Sequence, residues 1–400
     1  MFAIGGKGEM EIPSKASPWR MVAAACLLAI GVGIFVFAVS DNSAAQRDLI
    51  SYWAAGKELI HHANPYDGAA ILPMELAAGL DGNRPNIMLN PPLAFFLALP
   101  LGLVSAKTGV VLWSIALIAS LMASIRMIWI LYGRREDRLH LLGYCFAPVL
   151  ACLLAGQLGI FLLLGVVLFL YFQKSRPYLG GAALLLCALK PHLFLPFGVV
   201  LLAWAVDRKA YRILMGACAA LLASSALALC FDVHAWSQYS QMMSNTAEVQ
   251  QDFVPTLSMM FRLLVHRDAV WLQFLPAAAG CVWGLWYFWK RRSNWSWLEQ
   301  GSLLLLVSAA CAPHAWFSDE AMLFPAVLAG VYRASDSGRS QLPFGFVAGI
   351  ALIEVLAIVQ MTSWYYLWTM PAWIGWYIYA TRSTGTQADG LRERTLSTPG

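Results

Sequence analysis

The chain reads as a succession of long apolar segments separated by short polar breaks. Nothing else in the sequence constrains the fold as much. A soluble helix or strand needs a polar face, so its apolar residues recur with a period; segments that are apolar on every side must be buried in protein or in lipid. Such segments fall at about 20–40, 108–132, 139–155, 157–172, 178–189, 193–206, 213–231, 269–289, 297–312, 320–333, 341–361 and 363–380, roughly twelve in all, against the approximately twenty residues of a full helical crossing. Composition agrees: 60% of residues are hydrophobic and 12% charged. That excludes a disordered chain, a coiled coil and an ordinary water-soluble enzyme. The expected fold is an all-α polytopic membrane protein, with one integral membrane domain over 1–380 and a cytoplasmic tail over 381–400.

The run at 21–39 follows Lys15 and Arg20, and Ala38-Val39-Ser40 loosely resembles a cleavage site. It is longer than a signal-peptide core and many further spans follow, so a retained first helix is expected. The eight cysteines lie in apolar stretches without a C-x-x-C pair. They read as packing residues, not as a disulfide framework or zinc site. There is no internal repeat.

Segment 89–104 is short and carries three prolines. If it lies in the interface without crossing, the N-terminus is inside, and the 27 Lys and Arg divide into 19 inside and 7 outside, with Arg126 inside a span. That is a strong positive-inside bias. A crossing segment with the N-terminus outside gives the same split, but it separates Asp48 from Lys190. The non-crossing arrangement puts the polar residues of interest on one face. Six of the seven histidines and twelve of the twenty-two carboxylates then lie outside, where chemistry is expected.

Two outer segments stand out, the first at 41–106 and the second at 232–268. Long loops are uncommon unless functional. In the first, 49–60 places Leu49, Tyr52, Trp53, Leu59 and Ile60 near one helical face, which suits a helix in the membrane interface. The second carries Trp236, Tyr239, Asn245, Glu248, Asp252 and Arg262.

Asp48 reads either as the N-cap of that helix or as a carboxylate held for catalysis at the membrane surface. A helix N-terminus would favour its ionised form. Asn64-Pro65-Tyr66-Asp67 is turn chemistry, and Arg84 and Asn90-Pro91-Pro92 close the loop. Lys190-Pro191-His192 lies between two short apolar segments. A cation there is a snorkelling lysine or, since such charges are costly, a functional one; with His192 it suits a phosphate. Pro313-His314-Ala315-Trp316-Phe317-Ser318-Asp319-Glu320 and Gly156-Gln157 are further polar breaks. Phosphate-binding loops, dinucleotide fingerprints, H-E-x-x-H and G-x-S-x-G are absent. Any donor should therefore come from the membrane. The acids could bind a divalent ion, but no ligand spacing requires one.

Taken in order, these motifs resemble bacterial members of glycosyltransferase family 87, which have the GT-C fold. The resemblance runs from about residue 40 to 330. It rests on Asp48 with the aromatic and Ala-rich helix after it, Pro65-Tyr66-Asp67, Pro91-Pro92 to Pro100-Leu101, Gly156-Gln157, Lys190-Pro191-His192, and Pro313-His314 with Asp319. The chain departs from the family pattern at Asn90, Leu158 and Ser318. The resemblance implies an inverting transfer of a hexose, mannose-like, from a polyprenyl-phosphate sugar to a hydroxyl of a glycan or glycolipid acceptor. The transfer would take place at the outer face of the plasma membrane, in the building of the cell envelope. It makes Asp48 the general base, and Lys190, His192 and Arg84 the donor-phosphate residues. Tyr52, Tyr66, Asn90, Gln157, His314 and Asp319 become sugar or acceptor contacts. It implies no resident cofactor and no nucleic acid. A transporter or lipid-linked sugar flippase is the alternative class, although the chain shows no matching halves and no midplane site. A catalytically inactive scaffold of the same fold is a third reading.

Overall fold

A computed structural model describes residues 48–247, 256–336 and 367–381. The expected spans at 20–40 and 341–361, Glu248 and Asp252, and nearly all of the expected tail lie outside the described residues. Among the described residues the chain is helical throughout and contains no strand.

The described residues open with α1 (Leu49–Ile60) and α2 (Gly68–Ala77), followed by a 3-10 turn and α3 (Phe95–Gly102). The body runs through α4 (Ala106–Leu131), α5 (Ala147–Ala155), α6 (Gly159–Phe172), α7 (Pro177–Ala182), α8 (Leu184–Cys187), α9 (Leu195–Asp207) and α10 (Tyr211–Phe231). The 232–268 segment holds α11 (Ala235–Ala247) and α12 (Leu257–Val265). The remainder is α13 (Leu275–Arg291), α14 (Gln300–Ala310), α15 (Phe324–Asp336) and α16 (Thr369–Thr381).

Among the described residues two helices, α4 and α10, are long and apolar enough to cross a bilayer. At 26 residues α4 extends about 39 Å. The other apolar helices are shorter because glycine and proline interrupt them. Gly156 ends α5 in the left-handed region at φ 68°, a conformation that costs glycine nothing. Proline occupies the first turn of α5, α7, α9 and α13, where its missing N–H is one of the unpaired donors anyway. Helix α16 ends at Thr381, the first residue of the expected tail.

The 89–104 segment folds as the 3-10 turn Pro92–Ala94 and the eight-residue α3. That helix is about 12 Å long, less than half the hydrocarbon thickness. It packs against α1, and a Cβ on Gly56 would strike the Ala98 carbonyl, as one on Gly102 would strike that of Gly56. The two backbones touch through these glycines.

This packing corrects the expectation for α1. Its bounds are as expected, but protein covers more than one of its faces. Leu49 through Gly56 and Leu59 are all buried. The reason is the small-residue run Ala54-Ala55-Gly56, which lets neighbours close on the side where a bulky or charged surface would have stayed in water.

The core is continuous from α1 through α5, α6 and α15. Helices α5 and α6 both pack on the 3-10 turn Phe317–Leu323. Asp48 at the head of α1, Gly156-Gln157 between α5 and α6, Lys190 before α9, and Asp319 in that turn are thereby brought together.

Candidate functional site

Asp48 occupies the N-cap position of α1, but its side chain caps nothing. The backbone is satisfied otherwise: Asp48 N–H donates to Ala155 O at 3.0 Å, and Ser51 Oγ donates to Asp48 O at 2.7 Å. The carboxylate is left free to turn towards Gln157, whose Nε2 donates to Oδ2. The other end of that amide, Oε1, accepts from Lys190 Nζ at 3.4 Å. A carboxylate only accepts and an ammonium only donates, so the amide's orientation is fixed from both ends. Lys190 Nζ then donates to Asp319 at 2.7 and 3.0 Å. Four polar residues, from four separate breaks, form one chain: Asp48, Gln157, Lys190, Asp319.

Each link is held from behind. Trp113 Nε1 donates to Gly156 O at 2.8 Å and fixes the turn that presents Gln157. The Trp113 ring stacks on Tyr52, with centroids 5.0 Å apart. Tyr52 Oη donates to Asn90 Oδ1 at 2.7 Å, and Asn90 Nδ2 donates to Leu189 O at 2.8 Å, beside Lys190. Tyr66 Oη donates to Asn90 O at 2.9 Å. Asp319 Oδ2 also accepts from Trp316 N–H at 3.0 Å, which holds the acid against its turn. Asp319 is 1% exposed and the Lys190 side chain 11%, so this ion pair is nearly dry.

The electrostatics differ from one residue to the next. Desolvation raises the Asp48 carboxyl above the ordinary carboxylate range, opposed by the Gln157 hydrogen bond and then by Lys190. This is opposite to the helix-dipole expectation: loss of water outweighs the N-terminus, and the result is a stronger base. Desolvation also raises the Tyr52 phenol, which stays neutral and donates. His192 is pushed down to about 3, first by burial, then by His314 and Lys190. Burial thus favours its neutral imidazole. A buried ring beside another cation cannot keep its proton. His192 Nε2 is buried with no hydrogen-bond partner, and its ring meets His314 edge-on at 6.3 Å. His314 in turn meets Trp316 at 5.5 Å.

Arg84 is exposed in the loop between α2 and α3 and stands apart from the cluster. The Asn64–Asp67 turn has the expected local bonds: Asn64 Oδ1 accepts from Tyr66 N–H, and Asp67 Oδ1 caps α2 at Ala69 N–H, both at 2.9 Å.

The profile of glycosyltransferase family 87 matches residues 89–332. The chain belongs to glycosyltransferase family 87. No curated protein and no solved structure matches it. Family membership replaces the transporter and flippase alternative with a glycosyltransferase of an all-helical membrane family. The match covers Gln157, Lys190, His192, His314 and Asp319, while Asp48, Tyr52 and Tyr66 precede it.

The glycosyltransferase also holds groups that spacing alone did not weight. Trp113 sits in mid-helix, where an aromatic reads as core. Arg262 is 7% exposed, and its guanidinium is bonded to neutral partners, Arg267 O at 2.6 Å and Gln273 Oε1 at 2.9 Å. Gln273 Nε2 reaches Pro313 O at 3.1 Å. A buried cation is thus wired to the break that carries His314. Its signal in the sequence was a lone arginine in an apolar helix, Leu257-Ser258-Met259-Met260-Phe261-Arg262.

Proposed function

We propose that this glycosyltransferase moves a hexose, mannose-like, from a polyprenyl-phosphate sugar to the hydroxyl of a glycan or glycolipid acceptor, with inversion. We place the reaction at the outer face of the plasma membrane, on a chain with about twelve crossings. The observation that carries the reading is the continuous chain from Asp48 to Lys190: a base and a cation held in one hydrogen-bonded unit through Gln157.

Inverting transfer needs both ends. Asp48 takes the proton of the acceptor hydroxyl as that oxygen bonds to the anomeric carbon. The bond from that carbon to the phosphate oxygen breaks, and the electron pair leaves with the polyprenyl phosphate. A base acts within hydrogen-bond reach of its proton, and a desolvated carboxyl is the better base. The phosphate leaving group bears its own charge, so it needs a cation and not a general acid. An ammonium has three donors. All three go to Gln157 Oε1 and the two oxygens of Asp319, so a phosphate oxygen would displace the longest of them, the 3.4 Å bond to Gln157, while Asp319 keeps the lysine charged and aimed. This is stabilisation of developing charge by a preorganised group. Tyr52, Asn90 and Tyr66 line the Asp48 side as sugar or acceptor contacts. His192 contributes a neutral ring nitrogen. No step requires a metal or other cofactor.

Mass spectrometry of lipid-linked sugars and glycans, in cells with and without the protein, tests the reading. The expected result is a glycan lacking one hexose, with the polyprenyl-phosphate hexose accumulating, when the protein is absent. Unchanged pools of both would overturn it.

A further inference from the structure

Helix α9 begins beside Lys190 and runs 13 residues to Asp207, about 20 Å away. At that far end it flanks α13, and the two helices enclose a groove of 590 Å³ whose lining includes Val206, Phe288, Trp286, Trp289, Asp207 and Arg292. The groove is amphipathic. Its walls are apolar, and the indoles of Trp286 and Trp289 are 50% and 65% exposed. Its mouth is cationic. Lys290 lies over Trp286 at 4.4 Å and Arg292 over Trp289 at 4.2 Å. The loop after α9 adds Arg208 and Lys209, and Arg208 donates to the carbonyls of Arg292 and Ser293. That clasp joins the two loops. Arg292 lines the groove, Lys290 covers the Trp286 of its wall, and Arg208 joins its two loops, against the lining acid Asp207, itself engaged by Arg208 at 3.4 Å.

We infer that this groove is a binding site for an anionic phospholipid of the leaflet opposite the Asp48–Lys190 site. Its acyl chain would lie along Val206 and the two indoles, and its phosphate would meet Arg292 and Lys290. The chemistry follows from the lining: apolar walls with a cationic mouth complement a ligand with a long apolar tail and a negative head, and basic pockets between membrane helices take such headgroups. Orientation in the membrane requires only cations near a helix end. It does not require cations on indole faces, two loops clasped together, or a groove between the helices. The donor lipid is not the occupant, because the proposed reaction places its phosphate at Lys190, a helix length from the cations of the groove.

Native mass spectrometry of the intact protein, released from vesicles of equal phosphatidylglycerol and phosphatidylcholine, tests this. Wild type is expected to retain phosphatidylglycerol over phosphatidylcholine. The double variant Lys290→Gln/Arg292→Gln should lose about fivefold in that preference for each cation removed. Lys174→Gln/Arg176→Gln, which removes two exposed cations at the end of α6 away from the site, should leave it unchanged. Equal retention of both lipids by wild type, or an equal loss in the Lys174/Arg176 variant, would overturn the site and leave general surface charge. Melting curves of both variants should match wild type, as all four side chains are exposed. Sugar transfer by Lys290→Gln/Arg292→Gln in detergent should also equal wild type, so this test stands or fails apart from the proposed reaction.

Discussion

The turn Phe317–Leu323 holds two adjacent buried acids in different surroundings. Asp319 faces the polar breaks and meets the Lys190 ammonium. Glu320 faces the other way, into α16, where Thr369 Oγ1 donates to one oxygen and Trp373 Nε1 donates to the other at 2.8 Å. The first region is a line of charges and amides open to a ligand at Asp48. The second is an acid closed by neutral donors, and it clamps a helix that lies beyond the family match at 332. The difference separates function from architecture. A buried ion pair is poor value as a stabiliser, since apolar residues of similar volume often serve as well or better. Its presence at the breaks therefore asks for another reason, and holding Lys190 charged for a phosphate supplies one. The Glu320 clamp needs no such reason.

Removing the cation is the hardest blow to this contrast. Lys190→Met should lower transfer by about 10²–10³-fold, the scale of losing one charge-stabilising donor. It should also destabilise the fold by about 3–5 kcal/mol, because Asp319 is left buried and unpaired. The double variant Lys190→Met/Asp319→Leu should recover most of the thermal stability and none of the transfer. Recovery of both would make the pair architectural and erase the comparison.

Gln157→Leu should cost about ten- to a hundredfold in turnover, the range of a hydrogen bond to a charged group. It also has a pH signature. The Gln157 bond holds the raised Asp48 carboxyl down, so its loss lifts that group further. Activity disappears as pH falls through the Asp48 pKa, and the acid limb of the pH–rate profile should therefore move to higher pH. An unmoved limb would disconnect Gln157 from the base.

In the clamp the effects should be on stability. Glu320→Ala leaves Thr369 and Trp373 without their acceptor, at a cost of about 1–3 kcal/mol. Turnover per folded molecule should change little. Glu320→Gln can still accept from Trp373 and donate to Thr369, and should cost less. A large fall in turnover without a fall in melting temperature would move Glu320 into the functional region.

The smallest effect should be at Glu75 in α2. It is fully buried, accepts from Asn86 N–H at 2.9 Å, and leaves Oε1 without a partner. Burial raises its carboxyl to about 7, opposed by the Asn86 bond. A raised folded-state value means its contribution is complete below the unfolded value near 4.5 and lost as pH rises through about 7. Hydrogen exchange at Asn86 should accelerate across that window, and Glu75→Gln should flatten the response.

Much of the site was legible before the fold. Gln157, Lys190 and Asp319 each fall in a short break between apolar runs, where a polar residue is expensive enough to be noticed, and Asp48 heads the first such run after a polar stretch. The sequence could not state their pairing. Asp319 was read as a sugar contact because nothing local says that a residue 129 positions from Lys190 will neutralise it. Arg84 was grouped with the cluster from its place in the loop. The α1 boundaries followed from pattern, but its surroundings did not, since the approach of α3 depends on Gly56 and Gly102 meeting across 46 residues of chain.

Asp48→Asn bears most directly on the central claim. The amide can still accept from Gln157, so the chain to Lys190 should persist, while no group remains to take the acceptor's proton. Single-turnover transfer from a polyprenyl-phosphate hexose by the purified variant should fall by about 10²–10⁴-fold, with donor affinity close to wild type. Transfer near the wild-type rate, with donor binding intact, would contradict the account.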